Sequence, residues 1–388
     1  MSILPPEYET LRRETRRFAE KVVAPIAQEL YNREAEIPMD IIKQMADLGY
    51  FAMAIPEPYG GLGMDNLSVV IVTEELSRVW LSVGSVMTRT LIAGGLLLTG
   101  GTEAQKQRWL PGIAAGELLP AAAFTEPNAG SDTAGMQLRA VKKDDHTYVL
   151  NGQKTWITFA NRAHLMTVLA RTDPDMSKRH KGLSMFMVEK EPGDGFMPPH
   201  LLGERIPTIG YHGMKSFSLS FNDFEVPAAN LIGGQEGQGF YQLMAVYEVA
   251  RIQTAARAVG VAQAALEAAI RYAKERYQFG KPISEFQAVQ HKLAYMATKV
   301  EAGRQLTYYA ARMKDQGKRC DLEAGMAKLF CADMVEYVTS EAMQIHGGYG
   351  YALEYPVSRY WRDGRIFRIF EGTSEIQASV IARRLLEQ

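Results

Sequence analysis

The sequence predicts a mainly helical α+β protein whose β-rich middle separates two helical stretches. Three observations lead there. Up to about position 118 apolar residues recur at helical spacing. From 119 to 230 they fall in short segments divided by Pro, Gly and Asp. From 231 to 388 long proline-free runs rich in Ala, Leu, Met, Glu and Lys return. At roughly 150 residues per domain, 388 residues allow two to three domains. The changes of period put their boundaries at 1–118, 119–230 and 231–388.

In the first stretch Leu11, Phe18, Val22, Val23 and Ile26 recur among charges, as an amphipathic helix requires. Further helices are expected over Met39–Leu48, Leu67–Val79 and the apolar Leu81–Leu98, with Ile55–Gly63 a loop punctuated by Pro56, Pro58, Gly60 and Gly61. In the middle, Tyr148–Leu150 and Lys154–Thr158 flank Asn151-Gly152, a strong hairpin signal. Leu165–Arg171, Leu183–Val188 and Ser216–Phe221 read as further strands, their spacing that of an antiparallel sandwich or barrel. The runs Gly239–Tyr277, Glu285–Gln316 and Leu322–Gln344 are long enough to lie side by side as a bundle.

Charge and composition exclude several classes of function. With 43 Lys+Arg against 44 Asp+Glu, the net charge of −1 offers no global field for nucleic acid or an anionic membrane. Apolar runs such as Thr90–Thr99 are shorter than the roughly 20 residues a bilayer demands. No signal-peptide pattern opens the chain, Cys320 and Cys331 form no disulfide framework, and the seven histidines lack metal-ligand spacing. The expectation is a cytoplasmic, metal-free protein without disulfides.

Five segments can carry chemistry. Phe124–Asp132 (Phe-Thr-Glu-Pro-Asn-Ala-Gly-Ser-Asp) presents hydroxyls and backbone amides, or is simply a turn. Lys154–Thr158 puts Trp156 on a strand, either in a sheet core or stacked on a flat cofactor. Arg276–Gly280 (Arg-Tyr-Gln-Phe-Gly), followed by Gln287, sets an Arg beside a Gly-containing turn; it can fork onto a phosphate or be a solvated loop. Gln344–Gly350 packs Gly347, Gly348 and Gly350 behind a helix, more glycine than a C-cap needs. In Arg365–Gln377, Glu371 precedes Gly372-Thr373-Ser374. Facing inward it is desolvated, its pKa rises and it becomes a general base near neutral pH; facing outward it is a dipole-stabilised charge at a helix start.

Together, in this order and at these separations, the five segments resemble the acyl-CoA dehydrogenase family over nearly the whole chain. That resemblance implies an α-helical domain, a small antiparallel β-barrel and a C-terminal four-helix bundle, with FAD as cofactor. It implies that Phe124, Thr125, Gly130 and Ser131 line the flavin's edge, Ser131 also touching substrate, and that Trp156, Ile157 and Thr158 pack along its other side. Arg276, Phe279 and Gln287 would reach the FAD of a neighbouring subunit, with Gln344, Gly347 and Gly348 holding it and Thr373 and Glu375 at its other end. The implied assembly is a homo-oligomer, commonly a tetramer built as a dimer of dimers, and the implied electron acceptor is an electron-transfer flavoprotein. Glu371 would be the base that removes the α-proton while hydride leaves the β-carbon. Gly372 would lie on the substrate side, and Glu248, Arg251 and Arg383 near the CoA entrance. Ala250 leaves the family's alternative base position empty, and Phe370 stands where Tyr is common.

The acyl group is read from Arg89. It is the only charge between Arg78 and Glu103, on a helix whose family counterpart lines the end of the acyl pocket. A buried guanidinium needs an anion. Either the chain supplies one, or the arginine is exposed, or the substrate brings a second carboxylate. Segments such as Ala250–Ala256 and Cys320–Lys328 are similar to the methylsuccinyl-CoA dehydrogenase branch, whose relatives take alkyl- or benzyl-substituted succinyl-CoA. That likeness favours a dicarboxylyl-CoA. Standing alternatives are a monocarboxylic acyl-CoA dehydrogenase, an oxidase passing electrons to O₂, and an inactive helical scaffold.

Overall fold

The order of elements follows where the sequence changes from helical to alternating periodicity. The computed structural model describes residues 4–387. Helix α1 (Pro6–Phe18) has Pro6 in its first turn, Glu7 and Glu9 beside it, and Arg16 and Arg17 in its last turn, the charge order the helix dipole favours. It passes through a π-helical stretch, Ala19–Val23, into α2 (Ala24–Asn32), so the predicted single helix is one path with a widened turn inside it. Helices α3 (Met39–Asp47) and α4 (Asn66–Val79) follow, α4 capped by Asp65.

Helix α5 (Leu81–Gly100) corrects an expectation. Its 20 residues and mean hydropathy of 1.5 are long and apolar enough to cross a membrane. The run Thr90–Thr99 was too short a measure because Gly, Ser and Thr extend the apolar segment in both directions. In the fold 83% of its apolar window is buried against neighbours, so it is a core helix here. Helix α6 (Glu103–Ala114) starts with a capping box between Thr102 and Gln105.

Strands β1 (Pro120–Ala123), β2 (Arg139–Lys142), β3 (Thr147–Thr158), β4 (Leu165–Arg171), β5 (Leu183–Glu189), β6 (Leu201–Ile206) and β7 (Ser216–Pro227) form one sheet, in the order β1-β4-β2-β3-β7-β6 with β5 on β4. The expected closed antiparallel barrel is not what forms. The sheet is a curled half-barrel: among the described residues β6 does not pair back to β1, and β1 and β2 both run parallel to β4. Helices α5 and α7 pack on β1 and β5, so packing replaces the hydrogen bonds that closure would make. The predicted Asn-Gly hairpin also fails. β3 runs straight through Asn151-Gly152 with a register shift against β7, and Asn151 bonds Asp223 through both its side-chain atoms at 2.9 Å.

The last stretch is the expected bundle. Helices α7 (Gly239–Glu275), α8 (Gln287–Asp315) and α9 (Asp321–His346) pack on one another and α11 (Ser374–Leu386) on α9, with α10 (Pro356–Gly364) leading into the segment that carries Glu371. Between α7 and α8 a two-stranded ribbon, Tyr277–Gln278 with Lys281–Pro282, turns on Phe279-Gly280, both at positive φ. α7 joins everything: it contacts α4, α5, α8, α9, α10 and β5.

Candidate active site

Two groups of residues stand out, one closed and one open. The closed group gathers on Glu371. Glu371 and Gly372 have φ of +53° and +87°, and a Cβ at Gly372 would meet Gln377 Nε2 at 2.3 Å, so only glycine fits this turn. Lys328 Nζ and Gln377 Nε2 donate to the Gly372 carbonyl, and the Thr373 hydroxyl caps α11 by accepting from Ile376 N at 3.3 Å. The turn thereby aims Glu371 inward against α7, which rules out the outward, helix-start reading.

The expected rise in its pKa is overturned. Burial raises it, but Arg257 and Arg89, with hydrogen bonds from Thr254 and Arg257, outweigh burial and hold the carboxyl below its ordinary value. Arg257 Nη2 and Thr254 Oγ1 both donate to Glu371 Oε2, while Oε1 is buried without a partner. Arg257 is itself fully buried. Its Nη1 donates to Ser85 Oγ at 3.0 Å, its Nη2 also to Thr254 Oγ1 at 3.0 Å, and its guanidinium lies 5.1 Å from the Phe370 ring centre.

Arg89 lies one helical turn beyond Ser85 on α5 and is 9% exposed. Among the described residues no carboxylate comes within 4.0 Å of it, and the carboxylate of the chain that feels its charge is Glu371, already held by Arg257. Its Nη2 reaches the Tyr211 hydroxyl at 3.4 Å and its Nε is buried without a partner. Tyr211 packs edge-on against Phe370 at 5.8 Å, and its amide donates to buried Asp363 at 2.7 Å. The loop holding Tyr211 is pinned by Trp80 and Ser82, which donate to the His212 carbonyl at 2.8 and 2.7 Å.

Nearer the expected CoA entrance, Glu248 is engaged inside the chain: Lys314 Nζ donates to it at 2.7 Å and Cys320 Sγ at 3.5 Å. Arg251, on the same helix as Arg257, is buried. Among the described residues no carboxylate lies within 4.0 Å of it. Burial pushes its pKa down, and exposed Arg383 lies near enough to add to that.

The open group faces outward. Trp156 sits in a bulge of β3 with φ +60° and is 57% exposed, so it is not a sheet-core tryptophan. Ile157 and Thr158 beside it are buried, with Thr158 Oγ1 3.0 Å from Ser216 Oγ. Phe124–Ser131 is strapped to this strand by a buried ion pair. Lys154 Nζ donates to the Phe124 carbonyl and to Glu126 Oε1, both at 2.8 Å, and Thr155 N donates to the Thr125 carbonyl at 2.8 Å. Burial lowers the Lys154 pKa to about 8 against the pull of Glu126. Gly130 and Ser131 remain exposed.

On the helical side Arg276, Gly347 and Gly348 line one cleft of about 490 Å³ with Tyr349, whose ring centre lies 5.4 Å from the Arg276 guanidinium. Gln287, Gln344 and Glu375 are exposed, and Phe279 is 93% exposed at the tip of its ribbon. A Cβ at Gly347 or Gly348 would meet nothing within 4 Å, and one at Gly130 nothing nearer than 3.9 Å. Open glycine backbone, an outward tryptophan, hydroxyls and a cation are what a flavin ring, its ribityl chain and a pyrophosphate need. The residues present fit FAD.

Sequence reasoning missed Arg257, Thr254, Tyr211 and Lys328. For Arg257 a signal existed. It is a lone charge in the apolar run Ala255–Ala262, the same oddity that singled out Arg89.

Comparison with known proteins gives the class. The N-terminal, middle and C-terminal domain models of acyl-CoA dehydrogenase match residues 5–117, 121–224 and 237–386. The chain belongs to the acyl-CoA dehydrogenase family, FAD-dependent oxidoreductases acting on the CH–CH bond of acyl-CoA. It is 54% identical to the (2S)-methylsuccinyl-CoA dehydrogenase of Cereibacter sphaeroides over 387 residues, covering 99% of this chain and 70% of that protein. It is 41% identical to the caffeyl-CoA reductase–Etf complex subunit CarC of Acetobacterium woodii, covering 97% and 98% of the two chains. The butyryl-CoA dehydrogenase of Megasphaera elsdenii superposes with a TM-score of 0.93 at 38% identity, covering 100% of both chains.

Proposed function

We propose that this protein desaturates the CoA thioester of a branched C4 dicarboxylic acid, methylsuccinyl-CoA or a near analogue, between its α and β carbons. The observation that carries the reading is Arg89: buried, with a partnerless Nε and no carboxylate within 4.0 Å among the described residues, yet close enough to Glu371 to lower its pKa. Burying a guanidinium unpaired is costly, and a free carboxylate on the acyl group supplies the missing anion. The 54% identity to a methylsuccinyl-CoA dehydrogenase supports the same substrate class.

Glu371 removes the α-proton. The thioester carbonyl makes that proton weakly acidic, and the Glu371 backbone amide is assigned to the carbonyl oxygen, where negative charge develops. Arg89 holds the distal carboxylate, so the acyl chain is anchored at both ends and its α-carbon is kept beside Glu371. Arg251, with Arg383 near it, is assigned to the CoA phosphates, which restore the anion its burial lacks. A bound FAD supplies the acceptor for the β-hydride. Trp156, Thr158 and the Phe124–Ser131 loop hold it on one side, and Arg276, Phe279, Gly347 and Gly348 of a second copy on the other. The near-complete exposure of Phe279 supports a homo-oligomer, and likeness to an Etf-complex subunit supports an electron-transfer flavoprotein as acceptor.

The test is Arg89→Met, assayed on methylsuccinyl-CoA and on its analogue with a methyl group in place of the free carboxylate. Losing a charged hydrogen bond of about 1.5–3 kcal/mol cuts kcat/KM for the dicarboxylate by about 10- to 150-fold and spares the analogue. Equal losses on both thioesters refute the assignment.

A further inference from the structure

We infer that Arg257 is a latch on the catalytic carboxylate, and that the second carboxylate of the substrate opens it. The inference rests on the dicarboxylate reading above and adds to it a consequence for the chemical step.

Two guanidiniums and one carboxylate share this buried end of the site. Glu371 is the only carboxylate within 4.0 Å of Arg257 among the described residues. Every nitrogen of Arg257 is spoken for, by Ser85, Thr254, Glu371 and, at 3.4 Å, the Gln253 carbonyl. Arg89 has no such partner, only a phenol at 3.4 Å. The pocket is therefore one anion short, and Glu371 answers to Arg257 instead of to substrate. Ser85 ties Arg257 to α5 one turn from Arg89, so an anion seated on Arg89 arrives within reach of both guanidiniums. Its arrival balances two cations with two carboxylates. Arg257 can then share its hydrogen bonds with the newcomer, and Glu371 is loosened for proton transfer.

The charged and titratable groups facing Glu371 are Arg89 from α5, Arg257 and Tyr247 from α7, and Lys328 from α9. Lys328 donates to the Gly372 carbonyl, a group of the chain itself, so its charge is common to both thioesters. The sign follows from charge alone. Cations beside a carboxylate weaken it as a base, and an added anion that occupies those cations restores its basicity. A monocarboxylic acyl-CoA brings no such anion and leaves the latch shut. Selectivity then appears in the rate of proton removal as well as in binding.

The test uses the holoenzyme. Anaerobic flavin reduction is followed at saturating methylsuccinyl-CoA and at saturating methyl-for-carboxylate analogue, across the acid limb of the pH profile. The latch predicts a saturating rate about tenfold slower for the analogue, the value of the charged hydrogen bond from Arg257 that the base must release. It also predicts that the analogue's acid limb lies at lower pH. In Arg257→Gln the analogue's saturating rate rises, its limb moves to higher pH, and the gap between the thioesters narrows. Equal saturating rates with coincident limbs in the wild-type protein overturn the latch while leaving the dicarboxylate reading intact, because preference would then sit in KM alone. Failure of that reading looks different: the analogue matches methylsuccinyl-CoA in kcat/KM and Arg89→Met leaves their ratio unchanged, which removes the latch as well. Should Arg257→Gln not fold, the two wild-type profiles decide.

Discussion

The closed end around Glu371 and the open face around Trp156 and Phe279 solve opposite problems with the same chain. At the closed end every group comes from one copy. Elements far apart in sequence (α5, the Tyr211 loop, α7, α9 and the Phe370–Thr373 turn) meet in a buried, cation-rich pocket. At the open face a Phe is 93% exposed, glycines are uncovered and a tryptophan stands out of its bulge. Exposing large aromatics to water has a cost that a flat cofactor and a second subunit can remove. On the function proposed above, the contrast separates two tasks: the open face takes the cofactor the whole family shares, and the closed end takes what differs between substrates.

Four changes break or sharpen that contrast. Glu371→Gln strikes the closed end hardest. Removing a general base costs about 10²- to 10⁴-fold, so single-turnover flavin reduction falls by that factor while the visible flavin spectrum of the protein is retained. Lys154→Met strikes the open face from beneath. It leaves Glu126 buried without its cation and costs about 3–5 kcal/mol, read as a lowered urea midpoint, with the flavin lost more readily on dilution. Phe279→Ala, wholly at the surface, leaves the urea midpoint unchanged and weakens flavin retention by about 2- to 10-fold if it stacks across subunits, an aromatic pair being worth about 0.5–1.5 kcal/mol. Thr373→Ala is the mildest. It removes the α11 cap for about 1 kcal/mol, read as a small fall in the thermal midpoint. A pH series adds the sign. Because the Glu371 carboxyl is held below its ordinary value in the folded protein, its contribution to stability is present above the unfolded value and is lost only as pH falls through the lower folded one.

Much of the fold was legible because it depends on local periodicity. The helical runs at Gly239–Tyr277 and Leu322–Gln344 fall within a residue or two of α7 and α9. The sheet was less so. Asn151-Gly152 carries the local signature of a hairpin, but β7 pairs with both halves of β3, and that long-range ladder overrides the turn. Closure failed for a similar reason, since helices the middle segment does not contain pack on β1 and β5. At the site, Glu371 could be picked out from its Gly372-Thr373-Ser374 neighbours, but its electrostatics could not. They depend on Arg257, 114 residues earlier, and on Arg89, brought in by tertiary packing.

The central claim is that the arginine-lined end of this site exists for a second carboxylate. The most direct measurement gives the wild-type holoenzyme two thioesters that differ only there, methylsuccinyl-CoA and the analogue with methyl replacing carboxylate, and compares kcat/KM with an electron-transfer flavoprotein or an artificial dye as acceptor. The account predicts a preference for the dicarboxylate of at least about 10- to 100-fold, the value of a charged hydrogen bond at a buried site. An enzyme that oxidises the methyl analogue as well as the dicarboxylate, or better, contradicts it.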